Sequence, residues 1–131
     1  MIEVYTDGAT NEKLQLSGAG VFIKADGKFY EYTFPLKNMS NHEAEFIAVV
    51  KALEICMEKF PGEILSFHTD AQVIVDAIEK TFIKNDLFKP YLEKIIYISA
   101  KFPYFFIKWI PSKQNFHADR LAKKAIHIQK T

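Results

Sequence analysis

The chain has 131 residues, of which 49% are apolar and 25% charged, and its 17 Lys+Arg against 16 Asp+Glu leave a formal charge of +1. That length suits a single domain, residues 1–131, and the composition excludes disordered and collagen-like chains. The lone Cys56 excludes a disulfide framework and a paired-cysteine metal motif, and no leader or long apolar run is seen, so a cytoplasmic protein that does not enter membranes is expected.

The small net charge conceals an uneven distribution. Residues 1–79 carry six lysines against 13 acids, whereas residues 80–131 carry 11 basic residues against three acids. A basic half can face a polyanion or simply form solvated lysine-rich helices. In chain order, Ile2–Thr6 alternates apolar and polar β-formers and predicts a strand that stops in a turn at Asp7-Gly8, with a loop over residues 8–17. Gly18–Lys24 and Phe29–Leu36 read as two more strands joined by an Asp26-Gly27 hairpin turn. The period then changes. Ser40 and Glu43 have capping-box spacing, and Phe46, Val49, Val50, Leu53 and Met57 recur at helical intervals up to Pro61-Gly62.

Ile64–Thr69 predicts a fourth strand, Ala71–Lys80 a second helix and Leu87–Ala100 a third, with Pro90 near its start and Pro103 beyond its end. Tyr104–Ile110 predicts a fifth strand. Asn115 is placed to cap a last helix, in which Ala118, Leu121, Ala122, Ala125 and Ile128 share a face. The order βββαβααβα implies an α/β fold: a five-stranded mixed sheet, its first three strands antiparallel, with helices on both faces. Trp109 and the 12 phenylalanines read as core.

Four acids stand out by position. Each has an ordinary explanation: Asp7 as a turn residue, Asp70 as a helix cap, Asp119 as an i,i+4 partner of Lys123, and Glu43, beside Glu45, as the capping-box acid. Together they say more. Asp7 and Asp70 fall at the ends of strands expected to be central, where open α/β sheets place their sites, and Glu45 and Asp119 lie in early helical turns. Glu45 is about 200° around the helix from Glu43, so the cap does not account for it. Carboxylates converging in one pocket repel unless cations neutralise them, and hard oxygen donors suit Mg²⁺ or Mn²⁺.

Tyr5-Thr6-Asp7-Gly8-Ala9, Ser40-Asn41-His42-Glu43-Ala44-Glu45-Phe46, Thr69-Asp70-Ala71-Gln72 and Asn115 through Ala122 resemble the four catalytic motifs of the type 1 ribonuclease H family, in the family's order. The resemblance spans nearly the whole chain. It implies a ribonuclease H-like fold and a sequence-nonspecific endonuclease that hydrolyses the RNA strand of RNA–DNA hybrids, leaving a 3′-hydroxyl and a 5′-phosphate. It further implies two Mg²⁺ ions, with Mn²⁺ as the alternative: Asp7 would bridge both, Asp119 would serve the ion that activates water, and Glu45 and Asp70 the other. Asn41 and Gln72 match positions that contact the hybrid and can sense the 2′-hydroxyl, Ser40 matches one that grips a DNA phosphate, and Gly8 and His42 complete the implied substrate-binding set.

The chain departs from the family pattern in two places. Residues 80–103 hold five lysines but no tryptophan and are too short for the basic protrusion of many bacterial members, which predicts weaker hybrid binding. Pro111–Asn115 lacks the mobile histidine that many members carry before the last carboxylate. His117 lies about 200° from Asp119 on its helix and is a poor substitute. His68, two residues before Asp70, could support the site from behind, form a His-x-Asp metal site or be structural. A noncatalytic binding module remains the alternative function, though all four carboxylates are present. A two-metal exonuclease is disfavoured because Asp7 is followed by Gly8-Ala9 and not by an Asp-x-Glu pattern. No obligate protein partner is evident.

Overall fold

A computed structural model describes residues 1–130. It forms β1 (Ile2–Asn11), β2 (Leu16–Ala25), β3 (Lys28–Leu36), α1 (Asn41–Lys59), β4 (Leu65–Thr69), α2 (Gln72–Lys80), α3 (Lys89–Ser99), β5 (Phe105–Trp109) and α4 (Phe116–His127), with short 3₁₀ turns at Asp86–Phe88 and Ser112–Asn115. The sheet order is β3-β2-β1-β4-β5. β1, β2 and β3 are antiparallel, and β4 and β5 join in parallel through helical crossovers.

The hairpin turn at Asp26-Gly27 forms as expected, with φ of 51° and 74°. These paired left-handed conformations match the twist of the flanking strands. The predicted loop over 8–17 is mostly strand instead: β1 runs on to Asn11 and pairs with β2 from Asp7↔Gly20 to Asn11↔Leu16. Asp7-Gly8 is therefore no turn. The polar side chains of this stretch hid a ladder whose bonds are made by the backbone alone, and Thr10 and Ser17 bond each other across it.

Alternation along the strands sends the two faces to different helices. Val4, Val21, Ile23 and Phe67 meet Phe46, Val49 and Leu53 of α1 in the main core. Each such side chain contributes roughly 2 kcal/mol on burial. The opposite face of β1, β2 and β3 is covered by α4. There Gly20 permits contact, since a Cβ at that position would lie 2.5 Å from the Ala122 amide nitrogen. Ala118, Ala122 and Ala125 supply the matching small residues on the helix.

Because α4 covers only that side of the sheet, β4 and β5 are less enclosed than the apolar pattern implied. Trp109 is 47% exposed, and Phe29, Phe82, Phe106 and Phe116 are also exposed. The reading of Trp109 and all the phenylalanines as core is therefore corrected: β5 is the edge strand and Phe29 adjoins a hairpin tip. Among the described residues, no helix is long and apolar enough to cross a membrane.

Candidate active site

The functional side chains meet where the β1–β4 pairing ends. That ladder stops at Tyr5↔His68, so the chain beyond it on each strand is free to diverge. Asp7 lies two residues past this point on β1 and Asp70 immediately follows β4. Asp7 is thus inside a strand and not at its end, yet it still reaches the mouth of the sheet because its β4 neighbour has already stopped.

Ser40 caps α1, its Oγ accepting from the Glu43 amide at 3.1 Å. The reciprocal half of the expected capping box is absent. Glu43 Oε2 instead accepts from the Tyr91 hydroxyl at 2.6 Å, tying α3 to the first turn of α1. Two residues on, Glu45 Oε1 accepts from the Gly8 amide at 2.6 Å. This contact needs glycine, because a Cβ at position 8 would collide with the backbone of Ala44 and Glu45. Gly8 therefore acts through its missing side chain and its N–H group.

Asp7, Glu45 and Asp70 each present an oxygen, and the three oxygens lie within 4.8 Å of one another. Asp119 projects toward Asp7 from α4 and is paired with Lys123 at 3.0 Å, as the i,i+4 spacing predicted. Burial, then the charges of Glu45, Asp70 and Asp119, push the Asp7 carboxyl up to about 10. Burial and the Asp70 charge push Glu45 up to about 8, against the opposing effect of the Gly8 hydrogen bond. Such a site holds protons until a cation replaces them. All-carboxylate donors fit a hard divalent cation of the Mg²⁺ or Mn²⁺ kind.

These residues line an open cleft of about 720 Å³ together with Gly8, Asn41, His42, Gln72 and Lys123. Ser40 stands outside that lining, at the helix cap. Asp70 is not the cap of α2: Ala71 holds that position, and the Thr69 hydroxyl accepts from the Ala71 amide at 3.1 Å. The Gln72 side-chain amide donates to Asp76 Oδ1 at 2.9 Å, one turn further along α2.

Neither histidine candidate joins the cluster. His68 stacks on Tyr5 with ring centres 4.4 Å apart, and its Nδ1 bonds the Val4 carbonyl at 3.1 Å. His117 stacks on Phe22 at 4.2 Å, away from Asp119. Asn115 does not cap α4 with its side chain. It is buried, and its amide donates to the Thr6 carbonyl at 2.9 Å. Sequence reasoning gave Asn115 the commoner role of Asn at a helix start; its separation of one turn from Asp119 was the available signal. Phe116 and Ser112, which wall the cleft, carried no such signal.

A sequence profile of the reverse transcriptase-like family matches residues 5–125. The chain belongs to this family. It is 36% identical over 128 residues to EbsB of Enterococcus faecalis (strain ATCC 700802 / V583), a protein named as a hydrolase, covering 96% of this chain and 94% of that one. It is 34% identical over 84 residues to a ribonuclease H of Trichodesmium erythraeum (strain IMS101), covering 64% of this chain and about half, 52%, of that protein. Among solved structures it superposes on LC11-RNase H1 in complex with an RNA/DNA hybrid with a TM-score of 0.89, at 26% identity and full coverage of both chains. The RNase H1 of Halobacterium salinarum NRC-1 gives a TM-score of 0.88 at 22% identity, over 97% of this chain and 98% of that one. The fold is that of ribonuclease H1, and the resemblance drawn from the four motifs holds.

Proposed function

We propose that this protein is a divalent-metal-dependent ribonuclease H that acts as one catalytic unit over residues 1–131 in the cytoplasm. It would cut the RNA strand of RNA–DNA hybrids without sequence preference and leave 3′-hydroxyl and 5′-phosphate ends. The observation that carries this reading is the convergence of Asp7, Glu45 and Asp70, their oxygens within 4.8 Å of one another, beside Asp119 in an open cleft. The fold is shared with a ribonuclease H1 solved with a hybrid bound.

Asp7, Glu45, Asp70 and Asp119 would hold two Mg²⁺ or Mn²⁺ ions. Bound there, such ions supply charge neutralisation at the scissile phosphate and lower the pKa of the attacking water. The protein's own residues do the remaining work. Gly8 presents no side chain, so α1 packs directly on β1 and the Gly8 N–H holds the Glu45 carboxylate at the cleft. Gln72, with its amide held by Asp76, offers its carbonyl oxygen to a donor, and an RNA 2′-hydroxyl is such a donor where DNA has none. Asn41 and His42 in the first turn of α1 complete the same wall. Lys123 offsets the charge of Asp119 at the cleft edge.

Hybrid affinity would be modest. Of the five lysines in residues 80–103, Lys89 is paired with Asp86 and Lys94 with Glu54, which leaves Lys80, Lys84 and Lys101 as the cations without an ion pair among the described residues. The test is cleavage of labelled RNA–DNA, RNA–RNA and DNA–DNA duplexes in Mg²⁺ or Mn²⁺, with Asp7→Asn as control. Only the RNA of the hybrid should be cut, and the variant should lose that activity. Equal cutting of RNA–RNA, or an unimpaired variant, would refute the mechanism. Salt-sensitive hybrid binding with no cutting in either metal would make the protein a binding module.

A further inference from the structure

Asn115 is among the largest side chains fully enclosed in the protein, at 1% exposure, yet it is polar and its Oδ1 accepts no hydrogen bond among the described residues. It sits at the start of α4 with φ −108° and ψ 26°, at the place where an asparagine commonly caps a helix with its own side chain. Here the side chain is turned away from the helix. Its Nδ2 donates to the carbonyl of Thr6, 109 positions earlier in the chain.

That carbonyl lies just beyond Tyr5↔His68, the last pair between β1 and β4, where the ladder offers no further partner. The hydrogen bond therefore joins a side chain and a backbone carbonyl whose positions have a special relation to the site. Thr6 immediately precedes Asp7, and Asn115 lies one helical turn before Asp119. Apart from the contact between Asp119 and Asp7 themselves, the other side-chain hydrogen bonds described between the α4 region and the sheet reach β2 or β3: Thr33 to Leu121, Arg120 to Glu31, and Gln129 to Ser17. These hold the middle and far end of the helix. Asn115 holds its beginning to β1, where two carboxylates that repel each other are brought side by side.

We propose that Asn115 is a positioning residue that fixes the separation of Asp7 and Asp119 and thereby sets the affinity of the site for divalent cations. This inference rests on the metal-dependent nuclease reading. An apolar residue of similar size would remove the unpaired Oδ1 but leave the buried Thr6 carbonyl without its donor, so the asparagine is tied to β1 through that one bond. Its donor has a specific use, which is to bind β1 at the one carbonyl next to the catalytic strand position.

The test uses the full chain with Asn115→Ala and with Asn115→Asp, which keeps the shape and replaces the donor by an acceptor. Hybrid cleavage is measured well below the melting temperature, with kcat and KM separated and Mg²⁺ varied. Loss of a residue that orients metal ligands should lower kcat or the apparent Mg²⁺ affinity by about 10- to 100-fold while leaving KM for the hybrid unchanged. Independently of activity, Mg²⁺ titration is followed through the amide signal of Gly8, whose N–H touches Glu45. Its midpoint should move to higher Mg²⁺ in both variants. Folded variants with wild-type kcat and an unchanged Gly8 midpoint would overturn the proposal.

Should the variants fail to fold, the unmodified chain decides. The side-chain amide signal of Asn115 should shift in step with Gly8 as Mg²⁺ is added, and a stationary Asn115 signal alongside a moving Gly8 signal would overturn the proposal. Coupled shifts in a chain that cuts no hybrid would support the positioning role and count against the nuclease reading, so the two failures are distinguishable.

Discussion

Replacing Asp7 by asparagine should stabilise the metal-free protein while ending its activity. Asp7 is 5% exposed, and burial together with three neighbouring carboxylates pushes its carboxyl from an ordinary 3.8 up to about 10. The unfolded chain releases this proton near pH 3.8, whereas the folded chain keeps it. The stability linked to the proton is therefore complete below the unfolded value and is lost as pH rises toward the folded one. From 3.8 to neutrality the loss accumulates over about three pH units at ~1.4 kcal/mol each, or ~4 kcal/mol. Asparagine keeps the shape and never ionises, so Asp7→Asn should recover up to that amount at neutral pH. Glu45, raised to about 8, adds a smaller loss of the same sign that the variant retains.

Urea denaturation in EDTA at about pH 5 and about pH 8 measures this directly. Wild type should lose midpoint between the two, and Asp7→Asn should lose less and exceed wild type at the higher pH. Mg²⁺ should then restore the wild type, by ~2.7 kcal/mol at a hundredfold excess over Kd, and leave the variant little changed. Wild-type stability that is flat across this range, or an Asp7→Asn variant weaker than wild type at the higher pH, would refute the claim that the carboxylates destabilise the metal-free fold.

Two further substitutions test the packing that delivers the site. Gly20→Ala would place a Cβ against the Ala118 carbonyl and 2.5 Å from the Ala122 amide nitrogen, both rigid helix backbone. Displacing α4 should cost about 1–3 kcal/mol by urea midpoint and lower activity with it, because Asp119 travels with the helix. Ser40→Ala removes the cap that accepts from the Glu43 amide and should cost about 1 kcal/mol in thermal or urea unfolding, with Tyr91 still holding Glu43.

Local rules were enough to define the number and order of the elements of this protein. Period and capping located α1 from Ser40 to Pro61-Gly62, the Asp26-Gly27 turn fixed the β2–β3 hairpin, and βββαβααβα led to the observed sheet, because helix and strand periods depend on near neighbours in the chain. The four motifs likewise marked Asp7, Glu45, Asp70 and Asp119 as a set. Other features depended on contacts between residues distant in sequence. β1 passes through Asp7-Gly8 without turning because β2 pairs with it there, Gly8 matters because α1 crosses above it, and Glu43 turns to Tyr91 of α3 in place of its own helix cap. Asn115 shows the division most clearly. Its position at a helix start was legible as a cap, but its buried bond to Thr6 exists only once α4 folds across β1, because the free energy of a buried hydrogen bond is decided by whichever partner the tertiary structure brings near.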